Sequence, residues 1–226
     1  MDVLVIAAHP DDAEIGLGGT IGRWTDQGLA VGIVDITDGE PTPHGTREER
    51  LAEAQRAAEV LGVRERILSD FPNRYLMDTV ELRQVVAEVM RVHRPRLVFG
   101  PLGLDQHPDH VAAAAVVRHA RFYSKLSKTD MAGQPYYPPA LLQFGTSHLR
   151  KVFQPAAVVD ISSVFERKVE AVLTYSTQFS GREERVRDTL AATARFYGLR
   201  IGVRYGEPIF SPEELAIWDP AALLPG

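Results

Sequence analysis

The stretch VLVIAAHPDDAEIGLGG, residues 3–19, joins an unbroken apolar run to a polar turn that begins with His9 and ends with Asp12. A short continuous apolar run is typical of a strand that is buried on both faces of a parallel sheet. The glycine-containing sequence from 14 to 28 has the length of a helix, and Gly28 is a residue type that commonly ends one. The stretch therefore predicts a β-α unit, with strand one over 2–8 and a polar turn at its carboxyl end.

The same alternation of strand and helix continues along the chain. It predicts strands at 30–39, 64–70, 96–102, 140–145 and 156–161, and helices at 46–62, 78–94, 108–122, 163–176 and 182–198. Alternating β and α elements indicate an α/β fold, a mostly parallel sheet with helices on both faces.

Capping residues mark the starts of three of these helices. Thr46 with Glu49, and Asp78 with Glu81, stand at capping-box spacing before the second and third helices. Pro108 suits the first position of the fourth, where its missing N–H costs nothing.

Composition limits the class of protein. The chain has 226 residues, 45% of them hydrophobic and 24% charged, so we expect one domain over 1–226. The formal net charge of -5 argues against nucleic acid or an anionic membrane as partner, because both favour clustered basic residues. The absence of cysteine excludes disulfides, thiol catalysis and Cys-ligated metals. The first residues lack the features of a secretion signal, so a cytoplasmic location is expected.

Two copies of the tripeptide HPD follow two of the predicted strands. One lies in the turn after strand one, and the other lies in DQHPDH, residues 105–110, after strand four. Ligands collect at the carboxyl ends of parallel strands, so the two turns face one crevice if these strands are neighbours. His9, Asp12 and His110 would then offer two imidazole nitrogens and one carboxylate oxygen to a metal, with a position left open for water or substrate.

HPDDAEIGLGGT together with HPDH resembles the LmbE/PIG-L superfamily of metal-dependent N-deacetylases, and the likeness runs over nearly the whole chain. DITDGEPTPHGTREER, YSTQF and YGEPI also resemble the bacterial branch that removes acetate from N-acetylglucosaminyl malate in bacillithiol biosynthesis. The resemblance implies a Rossmann-like fold, Zn²⁺ or Fe²⁺ as cofactor, a small N-acetylated sugar as substrate, and a homohexamer.

The resemblance also implies roles for single residues. By motif, the metal ligands are His9, Asp12 and His110, Asp11 is the general base, and His107 assists at the oxyanion or the leaving group. These roles agree with the chemistry of amide hydrolysis. A metal polarises the carbonyl and lowers the pKa of bound water from about 15.7 toward roughly 7, and a neighbouring carboxylate can accept the water proton.

Three further residues are candidates for substrate binding. Arg50, in TREER, matches an arginine that contacts the sugar, and its guanidinium would suit the carboxylate of malate, although pairing with a neighbouring glutamate of its own helix is an equal expectation. Asn73 stands where relatives often have aspartate. Tyr197 is expected either to be a packing or interface residue or to line the pocket. His148 follows a predicted strand, and its role is left open.

Several alternatives stay open at this point. Asp11 or Asp12 could cap the first helix, and Asp109 could favour the start of the fourth. Two histidines and a carboxylate also suit a non-haem iron oxygenase. A dinucleotide-binding module is disfavoured, because Ile21 stands where the third glycine of its fingerprint is needed. If the protein is a deacetylase, the substrate could also be another N-acetyl sugar or a small amide.

Overall fold

The structure, a computed structural model, describes residues 1–42, 44–149, 151–217 and 219. Its strands are β1 (Val3–Ala7), β2 (Val31–Thr37), β3 (Glu65–Phe71), β4 (Leu97–Pro101), β5 (Ala140–Phe144), β6 (Ala157–Asp160) and β7 (Gly206–Phe210). Its helices are α1 (Asp12–Asp26), α2 (Arg47–Leu61), α3 (Val80–His93), α4 (Pro108–Tyr123), α5 (Phe165–Leu173), α6 (Ser176–Phe179) and α7 (Glu183–Leu199).

The strands form one sheet in the order β3-β2-β1-β4-β5-β7-β6. The first five strands run parallel, and β7 runs antiparallel to both β5 and β6. The predicted mostly parallel α/β sheet is thus confirmed. The chain moves outward from β1 to β3 and then returns to place β4 on the other side of β1. This reversal opens a crevice outside the carboxyl ends of β1 and β4, where folds of this kind bind ligands.

β1 is buried on both faces, as its apolar run predicts. Val3 and Val5 pack into the cluster of α1 and α2, whereas Leu4 and Ile6 pack into the cluster of α3 and α4. Burying a side chain of this kind contributes about 1.5–3 kcal/mol. The polar turn after β1 is therefore attached to a rigid central strand.

The helix starts agree with the sequence in one case and differ in another. Thr46 forms a capping box with Glu49, as predicted. At α3 the N-cap is Thr79, not Asp78, because the Thr79 hydroxyl accepts a backbone amide of the first turn. Asp78 instead accepts two hydrogen bonds from the guanidinium of Arg83.

α1 begins at Asp12, earlier than the predicted residue 14, so the polar motif forms the first turn of this helix. Its glycines bring it close to the C-terminal half of the chain. A Cβ atom at Gly16 would collide with the backbone just after β5. Glu207 of β7 accepts the amides of Gly19 at 3.1 Å and Thr20 at 2.6 Å, which joins the middle of α1 to the sheet.

β7 is a strand that the sequence analysis did not predict. Pro208 lies inside it, and proline lacks the N–H that a ladder between strands needs. Pro208 pairs with Val158 of β6, but the carbonyl of the next residue, Ile209, faces β6, so the nitrogen of Pro208 faces β5. The ladder with β5 contains only Ile209 and Phe210, so no hydrogen bond is lost there. The strand therefore tolerates the proline.

The predicted helix over 163–176 is divided into α5 and α6. Tyr175, between them, leaves the helical conformation with a ψ of 67° and buries its ring completely. Among the described residues, none of the helices combines the length and the apolar character needed to cross a bilayer. Residues 220–226, the end of the predicted single domain, lie outside the described ranges.

Candidate active site and metal centre

The turns after β1 and β4 meet at one cavity, as their neighbouring strands predict. Its volume is about 290 Å³, close to the lower limit of about 300–1,000 Å³ that is usual for ligand pockets. The inner wall consists of the two HPD turns. The outer wall includes Arg50, Asn73, His148, Gln178 and Phe179.

The three predicted metal ligands converge on the inner wall. Donor atoms of His9, Asp12 and His110 lie within 4.8 Å of one another. The two Asp12 oxygens face the histidines, Oδ2 at 3.3 Å from His9 Nδ1 and Oδ1 at 3.1 Å from His110 Nε2. Two imidazole nitrogens and a carboxylate oxygen at this spacing form a donor set that suits zinc or iron(II).

Each of these histidines also faces a second carboxylate from the turn after β4. His9 Nε2 lies 3.0 Å from Asp109 Oδ2, and His110 Nδ1 lies 3.1 Å from Asp105 Oδ2. A carboxylate at the ring nitrogen that faces away from a metal fixes the tautomer and the orientation of the ring. The sequence analysis assigned Asp109 only to the start of a helix and did not single out Asp105. The available signal was the pair of acids within DQHPDH.

A second group of donors overlaps the first, since His9, His107 and Asp109 also lie within 4.8 Å of one another. Asp109 is already engaged by backbone amides. Its Oδ2 accepts the amide of Arg74 at 2.6 Å, and its Oδ1 accepts that of Leu76 at 3.2 Å. These bonds favour a supporting role for Asp109 and leave the set with Asp12 as the better metal site.

The charges around the ligands favour a bound cation. Burial lowers the pKa of His9, but hydrogen bonds to Asp109 and Asp12 raise it to about 10. Burial also lowers the pKa of His110, and the charge of Asp12 raises it above its ordinary value. Positive charge on the histidines is thus favoured by the buried carboxylates around them. A divalent cation would supply the same positive charge, so the residues fit a metal ion.

Asp11 lies beside the ligands in a strained conformation. Its φ is 111°, and although it occupies the N-cap position of α1, its side chain makes no capping hydrogen bond. The suggestion that Asp11 caps the helix is therefore wrong. The carboxylate faces the cavity and accepts Arg50 Nη2 at 3.2 Å. Burial raises the pKa of Asp11 to about 7, against the lowering effect of the Arg50 charge. Such a carboxylate can accept a proton near neutral pH.

His107 is the N-cap of α4. Its Nδ1 accepts the amide of Asp109 at 3.2 Å. Burial lowers the pKa of His107, which favours the neutral ring, and a neutral ring whose Nδ1 accepts an amide carries its proton on Nε2. The ring centroid lies 4.8 Å from that of His9 and 4.7 Å from that of His110. His107 is thus placed to donate a hydrogen bond to an oxygen atom beside the metal ligands.

Arg50 is almost fully buried in the wall of the cavity. Besides its bond to Asp11, Nη2 donates to the carbonyl oxygen of Pro10 at 2.6 Å. Within the described part of the chain, Nε and Nη1 have no hydrogen-bond partner. Unpaired buried donors of this kind cost about 1–3 kcal/mol, so they favour an acceptor from a ligand. The two nearby glutamates, Glu49 and Glu53, bind other groups.

Asn73 and Tyr197 have different positions. Asn73 lines the cavity, and its Nδ2 donates to the carbonyl oxygen of Gly39 at 2.7 Å, which joins the loops after β2 and β3. Tyr197 lies instead on α7, where its ring packs edge-on against Phe196 at 5.0 Å. The structure therefore does not bring Tyr197 to the cavity with the other predicted residues.

The cavity lining also includes residues that received no role in the sequence analysis, among them His148, Gln178 and Phe179. His148 follows β5, and its ring lies 5.4 Å from that of His107. Gln178 and Phe179 belong to α6, and their segment YSTQF entered only as part of a family resemblance. Their approach to the cavity depends on the break at Tyr175, which helical periodicity does not reveal.

The parallel sheet, the donor set at the ends of β1 and β4, and the adjacent Asp11 are the features that a metal-dependent hydrolase needs. Residues 4–121 match the PIG-L family, described as GlcNAc-PI de-N-acetylase. The chain belongs to this family and is therefore a de-N-acetylase, an enzyme that hydrolyses an N-acetyl group.

Known relatives agree with this assignment. The chain is 36% identical to diacetylchitobiose deacetylase of Thermococcus kodakarensis, over 92% of this chain and 81% of that protein. It is 28% identical to a probable N-acetyl-alpha-D-glucosaminyl L-malate deacetylase 2 of Bacillus anthracis, over 79% of this chain and 81% of that protein. The family resemblance is thus confirmed, whereas the likeness to the malate branch is weaker than that to diacetylchitobiose deacetylase.

Solved structures agree as well. A conserved protein of Thermus thermophilus superposes with a TM-score of 0.89 at 38% identity, over 98% of this chain and 100% of that one. N,N'-diacetylchitobiose deacetylase of Pyrococcus horikoshii superposes with a TM-score of 0.83 at 29% identity, over 92% of this chain and 82% of that one. These two likenesses confirm the predicted Rossmann-like fold.

Proposed function

We propose that the enzyme is a zinc-dependent deacetylase that removes acetate from the N-acetylglucosamine unit of a small saccharide such as diacetylchitobiose. The observation that carries the proposal is the donor set of His9, Asp12 and His110 within 4.8 Å, at the floor of a small cavity. The stronger likeness to diacetylchitobiose deacetylase supports the saccharide over the malate conjugate.

His9, Asp12 and His110 would hold the ion, which supplies polarisation of the acetyl carbonyl and activation of a water molecule. The remaining steps belong to residues of the cavity wall. Asp11 accepts the proton of the attacking water and passes it to the amine as the C–N bond breaks. Nε2 of His107 donates a hydrogen bond to the oxygen on which negative charge develops. Acetate and a free amine leave the site.

A second substrate, N-acetylglucosaminyl malate, is favoured by one observation. The buried Nε and Nη1 atoms of Arg50 have no hydrogen-bond partner in the described ranges, and a carboxylate is a stronger acceptor for a guanidinium N–H than a neutral oxygen is. The hydroxyl groups of a neutral saccharide are also acceptors. The choice between the two substrates therefore depends on how much a negative charge on the substrate strengthens its binding to Arg50.

Acetate release under anaerobic conditions tests the function. The purified enzyme, loaded with Zn²⁺ or with Fe²⁺, would be given diacetylchitobiose, N-acetylglucosamine and N-acetylglucosaminyl malate. We expect release from diacetylchitobiose with Zn²⁺ and loss of activity in His110→Ala. A strict requirement for oxygen would instead identify an iron oxygenase.

Arg50→Ala decides between the substrates. If malate is the natural partner, this change raises KM for the malate conjugate far more than for N-acetylglucosamine, because only the conjugate offers a carboxylate. We expect similar increases for both, which would support the neutral saccharide. The expected homohexamer is tested separately by sedimentation of the same protein.

A further inference from the structure

Tyr175 is a large, fully buried residue next to the active site, and it has no part in the chemistry proposed above. The guanidinium of Arg50 lies over its ring, with the central carbon 5.4 Å from the ring centroid. The negative face of an aromatic ring attracts a cation at this distance, more strongly when both are desolvated. The ring therefore provides a platform for the guanidinium.

The hydroxyl end of Tyr175 is anchored in the core. It donates to Glu14 Oε1 at 3.0 Å, and the same oxygen accepts Arg66 Nη1 at 2.5 Å. Arg66 also forms a bidentate ion pair with Asp35, in which Nε donates to Oδ2 at 2.6 Å and Nη2 donates to Oδ1 at 3.0 Å. The side chains of Glu14, Arg66 and Asp35 are fully buried. A rigid polar network thus fixes Tyr175 to α1, β2 and β3.

The residues that follow Tyr175 are attached to the helix that carries Arg50. Glu53 of α2 is buried and accepts Ser176 Oγ at 2.7 Å and the amide and hydroxyl of Thr177 at 2.9 Å and 2.5 Å. Arg50 and Glu53 stand three residues apart and share one face of α2. This face therefore holds the ring and the guanidinium in contact.

We propose that Tyr175 is a positioning residue for Arg50, an inference that rests on the proposed hydrolysis. Supported by the ring, the guanidinium keeps Nη2 on Pro10 and Asp11 and holds Nε and Nη1 in the wall of the cavity. Without the ring, the guanidinium is free to rotate away from both. Tyr175 thus influences the general base and the substrate through Arg50.

A double-mutant cycle tests the coupling. The ratio kcat/KM for acetate release would be measured for the wild type, Tyr175→Leu, Arg50→Met and the double variant. We expect Tyr175→Leu to lower kcat/KM about tenfold in the wild type and less than about twofold in Arg50→Met, which has no guanidinium left to position. Tyr175→Phe keeps the ring and should stay within about threefold of the wild type. Equal losses in both backgrounds would overturn the proposal.

Phe165→Leu is the matched control, because Phe165 is also buried and stacks on Tyr205 at 3.9 Å in a separate cluster. It should lower the melting temperature and leave kcat/KM unchanged in both backgrounds. If Arg50→Met does not fold, Arg50→Lys completes the same cycle. A loss of activity in Phe165→Leu as large as that in Tyr175→Leu would mean that both act by general destabilisation.

The Nε–H signal of Arg50 gives a readout that needs no turnover. In ¹⁵N-labelled protein, with the signal assigned by its loss in Arg50→Lys, we expect one protected signal in the wild type and in Tyr175→Phe. In Tyr175→Leu we expect it to exchange rapidly with water. A protected signal in Tyr175→Leu would overturn the inference whatever the substrate. The expected change without any acetate release would contradict only the proposed function.

Discussion

At the scale of single residues, Asp11 has a strained backbone conformation, and it occupies the N-cap position of α1 without using its side chain as a cap. A non-glycine residue at positive φ costs about 1–3 kcal/mol of folding free energy. The capping hydrogen bond that would offset part of this cost is not formed. At this φ the Asp11 carboxylate faces the cavity, while that of Asp12 faces His9 and His110. The strain thus separates the roles of two adjacent acids.

Asparagine variants of the two acids should differ. Asparagine tolerates a positive φ better than most residues, so Asp11→Asn should keep its fold and its metal. We expect it to lose roughly 10² to 10⁴ in kcat, the range for removal of a general base. Asp12→Asn should instead weaken metal affinity, because a neutral amide oxygen is a poorer ligand. Metal content and kcat would be measured on both, and the reverse pattern would mean that the two roles are exchanged.

Asp109 is a second single residue on which the site depends. Its carboxylate contacts Nε2 of His9, the ring nitrogen that faces away from Asp12. Asp109→Asn should weaken zinc binding by about 10- to 100-fold, the usual effect of losing such a partner. Competition with a chromogenic chelator measures this. Asp130→Asn, a change to an exposed acid that does not line the cavity, serves as control. Unchanged affinity in Asp109→Asn would exclude the supporting role.

Some residues of the site could be predicted from the sequence, and others could not. His9, Asp12 and His110 follow from the HPD turns, because the ends of neighbouring parallel strands must meet. Asp109 could not be assigned, because its role depends on which nitrogen of His9 it faces. Tyr175 was hidden for another reason: it interrupts a helical pattern, and its partners lie far away in sequence.

At the scale of elements, α1 depends on β7. Glu207 accepts two amides from the middle of α1 and pairs with Lys168 of α5, and both side chains are nearly fully buried. The Glu207 carboxylate therefore connects α1, α5 and β7. The start of α2 could be predicted, because its capping box joins Thr46 to Glu49, only three residues away. The pairing of β7 is long-range, and Pro208 conceals it.

Removal of this carboxylate should be strongly destabilising. Glu207→Ala leaves Lys168 buried without its partner, and we expect the free energy of unfolding to fall by about 3–5 kcal/mol. Glu207→Gln keeps an acceptor for the α1 amides and should cost less. Urea unfolding measures both. Glu166, in an exposed pair with Arg187, is the control, and Glu166→Ala should change stability by less than about 0.5 kcal/mol. Equal effects at 166 and 207 would refute the argument.

At the scale of the whole molecule, the proposed metal site lies where the two halves of the sheet meet. The proposed ligands come from the turn after β1 and from α4, which begins beyond β4. An ion bound there stabilises the folded state by about 4 kcal/mol at a thousand times its Kd. For a chain of this size we expect Zn²⁺ to raise the melting temperature by about 10 °C.

Chelation and two histidine variants test whether this stabilisation comes from an ion at the proposed ligands. Chelation should reverse the rise in melting temperature. His110→Ala should show almost no rise, and His148→Ala should show the full rise, because His148 lies outside the proposed ligand set. Scanning calorimetry with and without Zn²⁺ gives these values. A full rise in His110→Ala would place the ion elsewhere.

The position of β7 also has a consequence for biosynthesis. A nascent chain emerges N-terminus first, at about 5–20 residues per second, so the HPDD turn and α1 leave the ribosome long before Glu207 is translated. Until then, Gly19 and Thr20 lack this acceptor, and β6 lacks β7, its neighbour in the sheet. The turn that holds the proposed catalytic acids is therefore synthesised well before the strand that stabilises the helix behind it. We expect the enzyme to become competent only after Glu207 and the rest of β7 have been synthesised.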